Sequence, residues 1–350
     1  IPKDMTIQDF GVSYEELEPF FDYAEKVFGT SGQAWTVKGQ LVGQGKGGNP
    51  YAPDRSNPFP LEAQKNTVSA QLFGKAATEV GYKPYNLPSA NTSGPYTNPY
   101  GAQMGPCNFC GFCSGYVCYM YSKASPNVNI LPALKPLPNF ELRANAHVLR
   151  VNLDSSKTKA TGVTYIDAQG REIEQPADLV ILGAFQLHNV RLMLLSGIGK
   201  PYDPISGEGV VGRNFAYQNM ATIKAFFDKD THTNNFIGAG GNGVALDDFN
   251  ADNFDHGPHG FVGGSPMWVN QAGSRPIAGT SNPPGTPAWG SAWKRATADY
   301  YTHQVSMDAH GAHQSYRGNY LDLDPVYRDA YGLPLLRMTF DWQENDIKMN

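Results

Sequence analysis

The chain has 350 residues, with 27 basic and 32 acidic side chains and a formal net charge of -5. That length suffices for two domains and a sizeable core. No basic run is present, which argues against a nucleic-acid partner, and no stretch approaches the ~18 apolar residues of a membrane-spanning helix. With 38 Gly, 26 Pro and only 17% charged residues, a loop-rich enzyme is expected rather than a helical bundle. No secretory signal pattern opens the chain. It begins at Ile1 and ends at Asn350 just after a strand-like run, so both ends are expected to lie inside a longer polypeptide.

In chain order, Ser13 followed by Glu16 is a capping-box pattern. Leu17, Phe20, Phe21, Ala24, Val27 and Phe28 then recur at helical spacing, with Gly29 as a stop and Pro19 weakening the first turn. Residues 36–66 are Gly/Pro-rich and read as loop. Val68, Leu72, Ala76, Ala77 and Val80 mark a second helix, ended by Gly81 and Pro84. Residues 85–106 are turn-rich. Strand character covers 140–153, and 161–166 with 171–174 flank the turn Asp167-Ala168-Gln169-Gly170 as a hairpin. Residues 179–182, Leu-Val-Ile-Leu, have the continuous apolar character of a buried parallel strand. They run through Gly183-Ala184 into a helix carrying Val190, Leu192, Met193 and Leu195, closed by Ser196-Gly197-Ile198-Gly199. Strand, small-residue turn, helix is the architecture that brings a helix N-terminus to a phosphate. Further on, 221–227 and 335–342 read as strands, and Asn282-Pro283-Pro284-Gly285 as a turn or linker.

All four cysteines, Cys107, Cys110, Cys113 and Cys118, fall within residues 105–126 in the spacing C-x2-C-x2-C-x4-C, on a Gly-interrupted loop. Three chemistries compete. Thiolates at short loop spacing hold iron–sulfur clusters. Four thiolates can also hold zinc, although the longer run that separates the halves of a zinc ribbon is missing. Two local disulfides in an oxidising compartment are the third reading. The triple CxxCxxC is awkward for two structural bridges, which tilts the balance toward metal.

Residues 238–243, Gly-Ala-Gly-Gly-Asn-Gly, match G-x-G-x-x-G. They follow the polar run 231–235 and precede Asp247-Asp248-Phe249-Asn250, so neither the strand before nor the helix after is in place, and the match is rejected as a dinucleotide fingerprint. His256 with His259 and His310 with His313 form H-x-x-H pairs. Without carboxylate support on a helix they read as ordinary histidines rather than metal ligands. His147 and His188 read as structural histidines.

With these residues in view, the chain resembles the glucose–methanol–choline (GMC) flavin oxidoreductases. The run from Val180 to Gln186 followed by Leu192-Met-Leu-Leu-Ser-Gly-Ile-Gly199 is similar to that family's second signature, with Leu187-His188-Asn189 where a Ser/Thr-Pro is usual. Val211-Gly212-Arg213-Asn214-Phe215 resembles the family's Val-Gly-Arg-Asn-Leu. The helix from Tyr14 and the strand ending His147-Val148-Leu149-Arg150-Val151 also fit. Within the family, the cysteine run, residues 121–126, 196–204 and 319–325 are similar to the branch of membrane-associated bacterial sugar-acid and polyol dehydrogenases, the gluconate 2-dehydrogenase type.

The resemblance implies an α/β fold with an α+β portion: a GMC-type Rossmann-like FAD domain, incomplete here, plus a substrate domain with a large antiparallel sheet. It implies that 1–36 and 107–218 belong to the FAD domain and 37–106 and 219–350 to the substrate domain. It implies FAD as cofactor, with Val148, Gly183 and Ala184 beside it. It also implies an iron–sulfur cluster, 3Fe-4S or 4Fe-4S, on Cys107, Cys110, Cys113 and Cys118. Three cysteines suffice for a three-iron cluster, and Cys107 or Cys110 would be the first to stand aside. The family's N-terminal G-x-G-x-x-G unit and its catalytic His are absent from this chain. The implied activity is oxidation of a CH–OH group in a sugar acid, sugar or polyol. Electrons would pass to a cytochrome c subunit, with a small subunit as a further partner, on the periplasmic face, with membrane association only through the partner. The alternatives are a GMC-family oxidase with disulfides in place of the cluster, or a disulfide-stapled binding module.

Overall fold

The computed structural model describes residues 4–233, 235–273 and 281–350. Asn234, in the polar run before the glycine motif, lies outside them. Helix α1 spans Tyr14–Phe28 and α2 Val68–Glu79. Strands β1 (His147–Leu153), β2 (Ala160–Ile166) and β3 (Glu172–Pro176) precede helix α3, Gln186–Ser196. Then come β4 (Asn219–Phe226), β5 (Gly238–Leu246), β6 (Met267–Ala272), helix α4 (Gly290–Tyr300), β7 (Gln304–Gly311), β8 (Tyr320–Arg328) and β9 (Pro334–Thr339). The chain divides into two compact units.

The first unit comprises Ile1–Gln8, Glu141–Gln218 and His313–Ile347. It holds the antiparallel meander β1-β2-β3 and the hairpin β8–β9. The β2–β3 turn is closed by Asp167, whose carboxylate accepts the amides of Gln169 and Arg171, each at 2.9 Å. The Arg171 amide chiefly holds that carboxyl below its ordinary pKa. Helix α3 packs on β1, where Ser196 Oγ accepts the Val151 amide at 2.8 Å. Arg191 ties α3 to the hairpin through Asp329 (2.6 Å) and the Pro334 carbonyl (2.9 Å). Gly197, at φ 68°, ends the helix as its position after Ser196 requires.

The second unit comprises Asp9–Phe140, Asn219–Ala312 and Lys348–Asn350. Its first helix starts with the expected capping box: Ser13 Oγ accepts from the Glu16 amide, and Glu16 returns to the Ser13 amide at 2.7 Å. The helix runs through Pro19 and stops at Gly29, φ 64°. The large antiparallel sheet has the order Tyr85–Asn86, β5, β6, β7, β4.

That sheet has two unlike faces, because side chains alternate along each strand. One face is apolar. Val244, Val269, Val305 and Met307 meet Ala70 and Phe73 of α2 there, forming the core. On the other face, register places Thr222, Asp308 and Trp268 in one row across β4, β7 and β6. Thr222 donates to Asp308 Oδ1 at 2.7 Å, and the Trp268 and His310 rings meet edge-on with centroids 4.1 Å apart.

Two sequence expectations are corrected. Strand structure expected from residue 140 begins only at His147. Residues 179–182 are not a buried strand: they are extended coil, and Leu179 and Ile181 are 75% and 81% exposed. A parallel strand needs a partner to receive its backbone hydrogen bonds, and every strand ladder among the described residues is antiparallel.

Candidate functional site

In the first unit, Val148 lies on β1, paired to Tyr165 across a bulge before Arg150, with its side chain exposed. His147 beside it stacks on Tyr331, centroids 4.9 Å apart. Gly183 and Ala184 lie in the coil leading into α3. The Ala184 amide donates to Asn189 Oδ1 at 2.9 Å, and Asn189 Nδ2 donates to the Leu182 carbonyl at 3.2 Å. Phe185 then takes φ 71°, and α3 starts without a side-chain cap. A Cβ on Gly183 would meet nothing within 4 Å. The segment is therefore open: an exposed apolar run beside uncapped helix amides. That donor set fits an adenine nucleotide, whose rings take apolar surface and whose phosphates take helix N-termini.

The motif at 211–215 has a packing reason. Gly212, at φ 92°, lies so close to β8 that a Cβ would sit 2.0 Å from the Leu321 carbonyl oxygen. The Leu321 amide donates back to Gly212 at 2.7 Å, and Phe215 donates to the carbonyl of fully buried Asn319 at 2.8 Å. Nearby, the His313 side chain is buried. The Tyr217 amide donates to its Nδ1 at 2.7 Å, so Nε2 carries the proton and faces Asp346, 3.5 Å away. Burial holds this imidazole below its ordinary pKa, against the opposing pull of Asp346. His310 is placed instead at the end of β7 against Trp268, so the second H-x-x-H pair is divided between the two units. His256 and His259 sit among Phe254 and Phe261 as an aromatic cluster.

In the second unit, the cysteines occupy a loop closed at its base. The Gly105 amide donates to Met120 O at 3.2 Å, and Thr92 Oγ1 donates to Gly105 O at 2.6 Å. Lys123 Nζ reaches into the loop and donates to the carbonyls of Cys113 (2.7 Å) and Tyr116 (3.2 Å). All four cysteines are free thiols. Burial pushes the Cys107 thiol up; the Phe109 amide pulls the other way, and the fields of Cys113, Cys118 and Cys110 add to the rise. Among the described residues, no three His, Cys, Asp or Glu side chains converge on one metal ion. The thiols share a loop and a field, and their side chains do not converge on one point among the described residues.

The glycine motif at 238–243 finds its role here. It is the start of β5, with a bulge between Ala239 and Gly243. Cys110 bridges Gly238, and a Cβ on Gly240 would lie 3.2 Å from Cys113 Cβ. On the loop side, a Cβ on Gly111 would lie 2.4 Å from the Phe236 carbonyl oxygen. Glycines on both the loop and β5 let the backbone of the cysteine loop lie against the sheet. Sequence reading missed this, and it missed the polar sheet face, because both depend on partners far along the chain.

The GMC oxidoreductase family profile matches residues 8–220. The chain is 76% identical over 349 residues to the gluconate 2-dehydrogenase flavoprotein of Pantoea cypripedii, covering all of this chain and 57% of that protein. It is 24% identical over 344 residues to the 2-methyl-1,2-propanediol dehydrogenase of Mycolicibacterium austroafricanum, covering 97% of this chain and 58% of that one. It is 25% identical over 208 residues to the fructose dehydrogenase large subunit of Gluconobacter japonicus, covering 59% and 35%. The chain thus spans little more than half the length of the first two of these relatives. With its signature residues in the first unit and a profile match over more than half its length, the chain belongs to the GMC oxidoreductase family.

Proposed function

We propose that the whole protein is an FAD-dependent dehydrogenase that oxidises a CH–OH group of a sugar acid of the gluconate type, and passes the electrons to a cytochrome. The observation that carries this is the 76% identity over 349 residues to a flavoprotein named for gluconate 2-dehydrogenase. Oxidising an alcohol needs a hydride acceptor and a base for the hydroxyl proton. FAD, when bound, supplies the acceptor. Val148, Gly183, Ala184 and the uncapped amides of α3 are the residues of this chain that would hold its nucleotide. The apolar side chains of Leu179, Ile181 and Phe185 would shield it from water. The base is the family's histidine, which the resemblance puts outside this chain. The first unit together with 9–36 is the cofactor part in this reading, and the five-stranded sheet the substrate part.

The four thiols of the cysteine loop are the proposed electron exit, as iron–sulfur ligands toward a cytochrome c subunit on the periplasmic face. Their concentration in one loop supports this. Their present geometry does not gather them, so no step is routed through a cluster here. No helix among the described residues is long and apolar enough to cross a membrane, and in this reading attachment comes through the partner.

The test is an absorption and EPR spectrum of the natively isolated full-length protein, with iron and flavin quantified, before and after gluconate. Bound flavin that gluconate bleaches supports the dehydrogenase, and unchanged flavin bands rule out this substrate. Iron with a cluster signal supports the relay, and flavin without iron removes it. Replacing Cys118 with Ser should leave flavin bleaching intact and stop cytochrome reduction. A normal rate of cytochrome reduction in that variant would refute the relay.

A further inference from the structure

We propose that Lys123 is a positioning residue of the cysteine loop: it fixes the half of the loop that carries Cys113 and keeps that thiol seated against β5. The purpose of this hold rests on the electron-exit reading above; the hold itself concerns only the loop and its stem. The stem is buried and bonded on itself. Thr92 and Ser122 are both fully buried. The Thr92 amide donates to the Ser122 carbonyl at 3.1 Å, and Ser122 Oγ donates back to the Thr92 carbonyl at 3.1 Å. The Cys107 amide donates to that same Thr92 carbonyl at 2.8 Å, and the Ala124 amide to the Ala90 carbonyl at 2.9 Å. Lys123, bridged to Asn91, therefore leaves a backbone that is held on both sides, and its side chain starts from a fixed point.

From there the ammonium reaches across the loop. Cys113 and Tyr116 close a turn, with the Tyr116 amide 3.5 Å from the Cys113 carbonyl oxygen and Gly115 at φ 79°. Both carbonyls face Lys123 Nζ, which donates to them at 2.7 and 3.2 Å. An ammonium suits this place because it brings several donors and a charge to two carbonyl dipoles at once. Cys113 is thus held twice. Its carbonyl rests on Lys123. Its side chain rests on the sheet, where Sγ lies 4.0 Å from the Gly238 carbonyl oxygen and Cβ lies 3.2 Å from the place a Cβ on Gly240 would take. Phe112 and residues 114–117 around it are exposed, yet Cys113 is buried. An exposed turn opens at low cost when little holds it, so a buried thiol inside one depends on such a hold. Cys107 is anchored differently, by its amide to the stem, so loss of the Lys123 side chain leaves that anchor in place.

The experiment compares the full-length protein with its Lys123→Met and Lys123→Arg variants, as isolated and again after chelation, so that bound iron does not mask the thiols. N-ethylmaleimide labels the thiols under native conditions, and peptide mass spectrometry reads each cysteine separately. Losing a charge-assisted hydrogen bond should open the Cys113 turn and speed Cys113 labelling in chelated Lys123→Met about 10- to 100-fold. Cys107 should label at the parent's rate, and Lys123→Arg should restore most of the Cys113 protection. Should Lys123→Met misfold, Lys123→Gln, which keeps a neutral donor, takes its place and should give a smaller rise at Cys113. Equal Cys113 rates in parent and variant overturn the proposal. So does a rise shared by Cys107, which would mean a general loosening of the loop. Fast Cys113 labelling with cytochrome reduction at the normal rate would sink the electron-exit reading and leave the role of Lys123 standing. A parent isolated without iron removes the cluster relay, and the labelling rates still decide Lys123.

Discussion

The two segments that sequence marks for redox chemistry are built in opposite ways. The cysteine loop is closed at its base by Gly105 and Met120, braced by Lys123 and pressed onto β5 through Gly111 and Gly240. Residues 179–185 are open: apolar side chains face solvent, and two hydrogen bonds through Asn189 hold the backbone. The closed segment takes its backbone contacts from its own fold. A segment left open has apolar surface free for something else to cover.

The largest effect that could break this contrast is on the closed side. Gly111→Ala puts a Cβ at φ 77° against the Phe236 carbonyl oxygen. Left-handed strain and overpacking together should cost about 2–4 kcal/mol, read by denaturant unfolding of the full-length protein. An unchanged midpoint would mean that the loop is not held against the sheet.

The pH response of the first unit comes next. His313 is neutral when folded because burial depresses its pKa below 6.5. The unfolded chain then binds more protons than the folded one below that pH, so stability present above about 6.5 is lost as pH falls toward the depressed folded value. His313→Asn, which keeps an acceptor for the Tyr217 amide, should flatten that acid slope. A slope as steep as the parent's would assign the acid sensitivity elsewhere.

Ser13→Ala removes one half of the α1 capping box and should cost about 1 kcal/mol. Thermal unfolding reads it, and no loss would mean that the helix start is held by other contacts. The smallest effect belongs to the open side. Leu179→Ser with Ile181→Ser should change the stability of the flavin-free protein by less than about 0.5 kcal/mol each, as exposed positions do, while weakening FAD. A loss of several kcal/mol in the flavin-free protein would show that the run is buried in the full-length molecule.

Local signals carried much of the fold. Ser13, Glu16 and Gly29 delimit α1 because capping and left-handed termination are settled within a few residues. Asp167 and Gly170 mark the β2–β3 turn for the same reason, and Gly197 the end of α3. The strands β5, β6 and β7 were not legible. Gly238 to Gly243 looks like a failed phosphate loop until its partners, the cysteine loop and β6, are in place. The apolar run at 179–182 misled in the opposite direction, because hydrophobic continuity says that a strand could form but not that a neighbour is there to pair with it.

The sequence by itself determined helices α1 to α3, the capping box of α1, the hairpin turn, the gathering of all four thiols and the family signature, since each is written in residues close together in the chain. Tertiary structure alone decided the rest. It set which glycines let two backbones touch, divided His310 from His313, and put Thr222, Asp308, Trp268 and His310 on one face. Those choices depend on register between strands far apart in the chain, such as those of Thr222 and Asp308, 86 positions apart, and register is a property of pairing that no single strand contains.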